Sequence, residues 1–67
     1  MKITVNGKEY TRFKTPIYVT ELLENIKLSD LPVVVEVNKV ALLPREHSTT
    51  KLKDGSMIEI IVIAAGG

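Results

Sequence analysis

A chain of 67 residues with 45% hydrophobic and 25% charged side chains has the composition of one small packed domain, because so short a chain buries only about 60% of the surface it exposes when unfolded. Nine basic against eight acidic side chains give a formal charge of +1 and exclude the basic stripe used on nucleic acid; the absence of cysteine excludes disulfides and thiolate metal sites. No apolar run approaches the ~20 residues that span a bilayer, and alternating residues follow Met1-Lys2 where a secretory signal would be continuously apolar. A cytoplasmic protein with a single domain over 1–67 is expected.

Ile3 and Val5 alternate with Lys2, Thr4 and Asn6, which predicts a strand with one aliphatic face. Asn6-Gly7 is a strong hairpin signal. The return segment from Lys8 to about Phe13 carries Tyr10, Thr11 and Phe13 among charges, the pattern of a less buried second strand.

After Thr15-Pro16, the residues Val19, Leu22, Leu23 and Ile26 recur at i, i+3, i+4 and i+7, so an amphipathic helix of about ten residues is predicted there. Its start is poorly signed: Tyr18 is an unusual N-cap residue. Past Pro32, the run Val33, Val34, Val35, Val37 predicts a strand, Asn38-Lys39 a tight turn, and Val40 to Leu43 the return. Pro44 to Thr50 is a polar connection leading to Leu52, and Lys53-Asp54-Gly55-Ser56 is a further turn.

Met57 to Ile63 is apolar except for Glu59, which predicts a central strand with little water on either face. If Ile58, Ile60 and Val62 face the helix, however, then Met57, Glu59, Ile61 and Ile63 face the side that a one-helix fold leaves open, where they would form a partner-docking surface. Hairpin, helix, strand pair and final strand make the ββαββ order of an α+β β-grasp (ubiquitin-like) fold, one main helix across a single mixed sheet with the last strand parallel to the first.

The last strand runs into Ala64-Ala65-Gly66-Gly67. A flexible tail over 64–67 would reach roughly 13 Å when extended. Glycines lack Cβ atoms and fit a narrow channel, as a terminal carboxylate must if another enzyme is to bring it to a nucleotide phosphate. Such a carboxylate can attack the α-phosphate of ATP, and the resulting acyl-adenylate can accept sulfur. Frayed ends rich in small residues are also common.

On its residues the chain resembles the ThiS/MoaD family of ubiquitin-like sulfur carriers, and within it the ThiS branch of thiazole (thiamin) biosynthesis. The resemblance is carried by Met1 to Gly7, Val19-Thr20-Glu21-Leu22-Leu23, Val33 to Asn38, Pro44-Arg45-Glu46-His47, Leu52 to Gly55 through Ile58-Glu59-Ile60, and Gly66-Gly67. It implies a non-catalytic carrier whose Gly67 is adenylated by an E1-like (ThiF-like) enzyme and converted to a thiocarboxylate, with Gly66 and Ala65 required for activation. Thiazole synthase (ThiG-like) then consumes the sulfur, and ATP is bound by the partner only, so no cofactor belongs to this chain. Lys39 stands where the family commonly has glycine and Ser56 where an acidic residue is usual; both are expected to affect only turns and surface.

Alternative roles are a carrier for molybdopterin or tRNA thiolation, a ubiquitin-like modifier, or an interaction module with an incidental tail. His47 is the only histidine, too few for a metal site, and Ser48, Thr49 and Thr50 beside it have no orienting acid. These residues are expected to be loop surface, as are Arg45 and Lys53.

Overall fold

The computed structural model describes residues 1–14 and 16–63; Thr15 and residues 64–67 lie outside the described residues, and with them the expected tail flexibility and the assignments to Ala65, Gly66 and Gly67. The elements are β1 (Ile3–Val5), β2 (Lys8–Tyr10), α1 (Val19–Asn25), β3 (Val33–Val37), β4 (Val40–Leu42), a 3-10 turn at Pro44–Glu46, and β5 (Met57–Val62). They form one five-stranded sheet in the order β2-β1-β5-β3-β4. β5 runs parallel to β1 and antiparallel to β3, as expected for the most apolar strand.

The core lies on one side of this sheet. Ile3, Val5, Val35, Ile58 and Ile60 project from the strands onto Val19, Leu22 and Leu23 of α1, and Phe13 and Leu52 close the edges. Phe13 corrects the expectation of a second, less buried strand running from Lys8 to about that residue. β2 ends at Tyr10, strand alternation no longer fixes the side beyond that point, and the Phe13 ring turns inward to lie 5.9 Å from that of Tyr10.

Two tight turns with central residues at positive φ tie the hairpins to β5. Asn6 and Gly7 (φ 50° and 82°) join β1 to β2, and Asn38 and Lys39 (φ 50° and 69°) join β3 to β4. Each asparagine also acts as an extra rung. Asn6 Oδ1 accepts the Ile60 N–H at 2.7 Å while its Nδ2 donates to the Ile60 carbonyl at 3.1 Å. Asn38 Oδ1 accepts the Met57 N–H at 2.9 Å, and the Asn38 N–H donates to the Met57 carbonyl at 2.7 Å.

The helix is shorter than expected, seven residues, and its weakly signed start is capped from outside. Glu21 Oε1 accepts the Tyr18 N–H at 3.0 Å, while the Val19 and Thr20 N–H groups donate to the carbonyls of Thr50 and His47, each at 3.0 Å. Backbone carbonyls of the 44–51 connection thus satisfy two of the first-turn N–H groups that have no partner within the helix. At the other end Lys27 sits at φ 63°, its N–H donating to the Glu24 carbonyl and that of Leu28 to Leu23, a Schellman stop made without glycine.

Two stability predictions follow from these contacts. Asn6→Ala loses both side-chain bonds to Ile60 and strains the turn, so denaturant unfolding should show a loss of about 2 kcal/mol. Lys27→Gly relieves the left-handed backbone and should raise stability by about 0.5–1 kcal/mol in the same measurement.

Candidate functional site

The site begins with the alternation of β5. Ile58 and Ile60 are buried at 1% and 6% exposure, whereas Met57 and Ile61 are 54% and 58% exposed and Glu59 stands between them on the same side. One helix covers one face of the sheet, so the expectation of little water on either side of β5 is corrected: the face opposite α1 is open. Val62, expected toward the helix, is 47% exposed. A seven-residue helix is about 10 Å long and a six-residue strand about 20 Å, so α1 is too short to cover all of β5.

The ladders assign the neighbours on the open face. Thr4 lies opposite Glu9 and beside Met57, Val34 opposite Ile61, and Glu36 between Glu59 and Ala41. Lys2 Nζ meets Glu9 Oε2 at 2.8 Å. The hydrogen bond that the Lys2 ammonium donates to Glu9, and then the Glu9 charge, raise the Lys2 pKa above its ordinary value, although so exposed a pair adds little stability. Glu36 and Glu59 have no such partner among the described residues. With Asn38, Lys39 and Met57 they line an open depression.

Ile63 does not join this group. β5 ends at Val62, so the pleat no longer assigns its side; its N–H donates to the Pro32 carbonyl at 2.8 Å, and the residue borders a separate depression with Leu23, Leu31, Pro32, Pro44 and His47. The root of the tail is therefore held at the end of the sheet, between the segment after α1 and the 44–47 turn.

His47 and Thr50 are not loop surface as expected: both are partly buried and cap α1 with their carbonyls. Thr50 Oγ1 donates to the Glu46 carbonyl at 2.7 Å and Thr49 Oγ1 to the same carbonyl at 3.3 Å. Ser48, Arg45 and Lys53 are exposed. Ser56 is 4% exposed and its Oγ accepts the Lys53 N–H at 2.9 Å, so it fastens the turn from inside and is not a surface residue. Among the described residues no three His, Asp or Glu side chains are grouped to hold a metal ion, and no helix is long and apolar enough to cross a membrane. Glu36 was not singled out in the sequence, although it interrupts a valine run as Glu59 interrupts β5.

A mixed five-stranded sheet with β1 and β5 parallel at its middle and one helix across one face defines a ubiquitin-like β-grasp protein. The model of the ThiS family matches residues 2–67, and the chain belongs to that family. It is similar to the crystal structure of the thiamine biosynthesis protein ThiS from Geobacter metallireducens, with 36% identity, all of both chains covered and a TM-score of 0.85. The solution structure of a thiamine biosynthesis protein from the same organism is likewise 36% identical, with a TM-score of 0.81 over 100% of this chain and 88% of that one. No curated protein matches the chain.

Replacement of neighbours on β5 should separate the two faces. Ile61→Asp should change the unfolding free energy by less than about 1 kcal/mol, whereas Ile60→Asp places a carboxylate in the core and should cost more than about 3 kcal/mol, both read by denaturant titration.

Proposed function

We propose that this protein is a sulfur carrier of thiamine biosynthesis that works through the carboxylate of Gly67. An E1-like adenylating enzyme binds ATP and the carrier. A Gly67 carboxylate oxygen attacks the α-phosphorus, pyrophosphate leaves, and an acyl-adenylate forms. A sulfur nucleophile then adds to the acyl carbon and AMP departs, leaving the thiocarboxylate that thiazole synthase consumes. Gly66 and Ala65 leave room for the tail in the activating channel, and Met57, Glu59 and Ile61 meet the partner while Ile63 holds the tail root. The chain supplies a presented group and the partners supply the catalysis.

The observation that carries this reading is the family match across residues 2–67, which takes in Gly66-Gly67 just beyond the central strand. The two solved relatives are thiamine biosynthesis proteins, which favours thiazole formation over donation to molybdopterin or tRNA. The open face and apolar tail root support a carrier that is gripped by its body and worked on at its end.

ATP–pyrophosphate exchange by the adenylating enzyme tests it. Full-length carrier should stimulate exchange, a chain lacking Gly66 and Gly67 should not, and Ile61→Asp should raise the carrier KM at least about tenfold by placing a charge in a desolvated contact. Equal exchange with and without the two glycines would leave an interaction module as the better reading.

A further inference from the structure

Building on the sulfur-carrier reading, we propose that Glu36 and Glu59 form a two-carboxylate socket for one arginine side chain of the adenylating enzyme, which seats on the open face of the sheet.

The two residues are direct cross-strand partners between β3 and β5. Their immediate neighbours Val35, Ile58 and Ile60 turn into the core, so both carboxylates stand on the face opposite α1. Directly opposed side chains have Cβ atoms about 4.5–5.5 Å apart, and like charges in that position oppose folding. Every other feature of this strand pair favours folding, namely paired backbone, valines and isoleucines, and the Asn38 rung on Met57. Glu9, the remaining acid on the face, is already occupied by Lys2 at 2.8 Å. Lys39 borders the depression, yet no lysine or arginine nitrogen comes within 4.0 Å of Glu36 or Glu59 among the described residues.

The surroundings say what kind of cation fits. Met57 and Ile61 flank Glu59 two residues away on either side, and Val34 lies two residues before Glu36, opposite Ile61. Met57 and Ile61 are more than half exposed. A long side chain entering here lays its methylenes along exposed aliphatic groups and brings its charged end to the carboxylates. Arginine suits the site better than lysine because its planar fork presents several N–H donors that two carboxylate groups can share, and because its charge is more weakly hydrated. An apolar rim that excludes water around such a contact is the arrangement that concentrates binding energy in a few residues.

The adenylating enzyme is the partner that this position fits. β5 carries Glu59 and Ile61 directly toward Ile63 and the tail, so a body seated on this face lies beside the segment it must draw into its ATP site. A tail of two alanines and two glycines offers few side-chain contacts of its own. Recognition of the correct carrier therefore falls to the face, and an ion pair at its centre sets register as well as affinity.

The test is ATP–pyrophosphate exchange by the ThiF-like enzyme of the same genome, with wild-type carrier and the E36Q/E59Q double variant, together with their thermal unfolding. The expected result is a carrier KM raised at least about tenfold in E36Q/E59Q with kcat unchanged, a weaker dependence of KM on salt, and a melting temperature equal to or above wild type because the repulsion is gone. An unchanged or lowered KM with normal wild-type exchange would overturn the socket and leave the carrier reading intact. A raised KM with a lowered melting temperature would assign the pair to the fold and overturn the socket too. So would an effect confined to the later thiazole synthase step. No exchange with wild-type carrier, from an enzyme active on another carrier, would remove the carrier reading and this inference with it.

Discussion

β5 is hydrogen-bonded along both edges and covered on only one face, and the rest of the molecule is arranged around that asymmetry. On its covered side Ile58 and Ile60 meet α1 and complete the core. On its edges the parallel ladder to β1 and the antiparallel ladder to β3 are extended by the side chains of Asn6 and Asn38, so both hairpin turns are fastened to the same strand. A chain with so small a core gains rigidity from such tethers where a larger domain would rely on packing alone.

The same asymmetry separates stability from recognition. Inward residues of β5 cannot change without loss of the core, whereas Met57, Glu59 and Ile61 face solvent and are free to serve a partner. The strand also directs the chain: Ile63, held by the Pro32 carbonyl, leaves the sheet with four residues to follow. A rigid body, an open face and a tail rooted at one end are what a carrier needs if its activating enzyme is to hold one part and modify another.

Much of this was legible in the sequence because local rules and the global fold agree. Asn6-Gly7 marked the first hairpin, the 3.6-residue spacing of Val19, Leu22 and Leu23 marked the helix, and alternation from Met57 to Ile61 separated inward from outward residues, although Val62 departs from it and the openness of the outward face was only one of two expectations. Features that depend on distant segments were not legible. Tyr18 begins a helix because the carbonyls of His47 and Thr50 arrive from almost thirty residues away. Phe13 is core because the chain leaves the sheet after Tyr10, and Ser56 is buried because its hydroxyl closes a turn from inside. Glu36 gained meaning only when the register set it opposite Glu59, since each alone is a polar interruption in an apolar strand. The family resemblance carried by the scattered segments proved to be the family to which the chain belongs.

In the proposed carrier role, the chemistry is done on the Gly67 carboxylate and not in a pocket of the chain's own. The most direct measurement is the intact mass of the carrier after incubation with ATP, its adenylating enzyme and a sulfur source, beside a chain lacking Gly67. The expected result is an oxygen-to-sulfur mass increase in the full-length chain alone. An unmodified mass, with an enzyme shown to load another carrier under the same conditions, would contradict it.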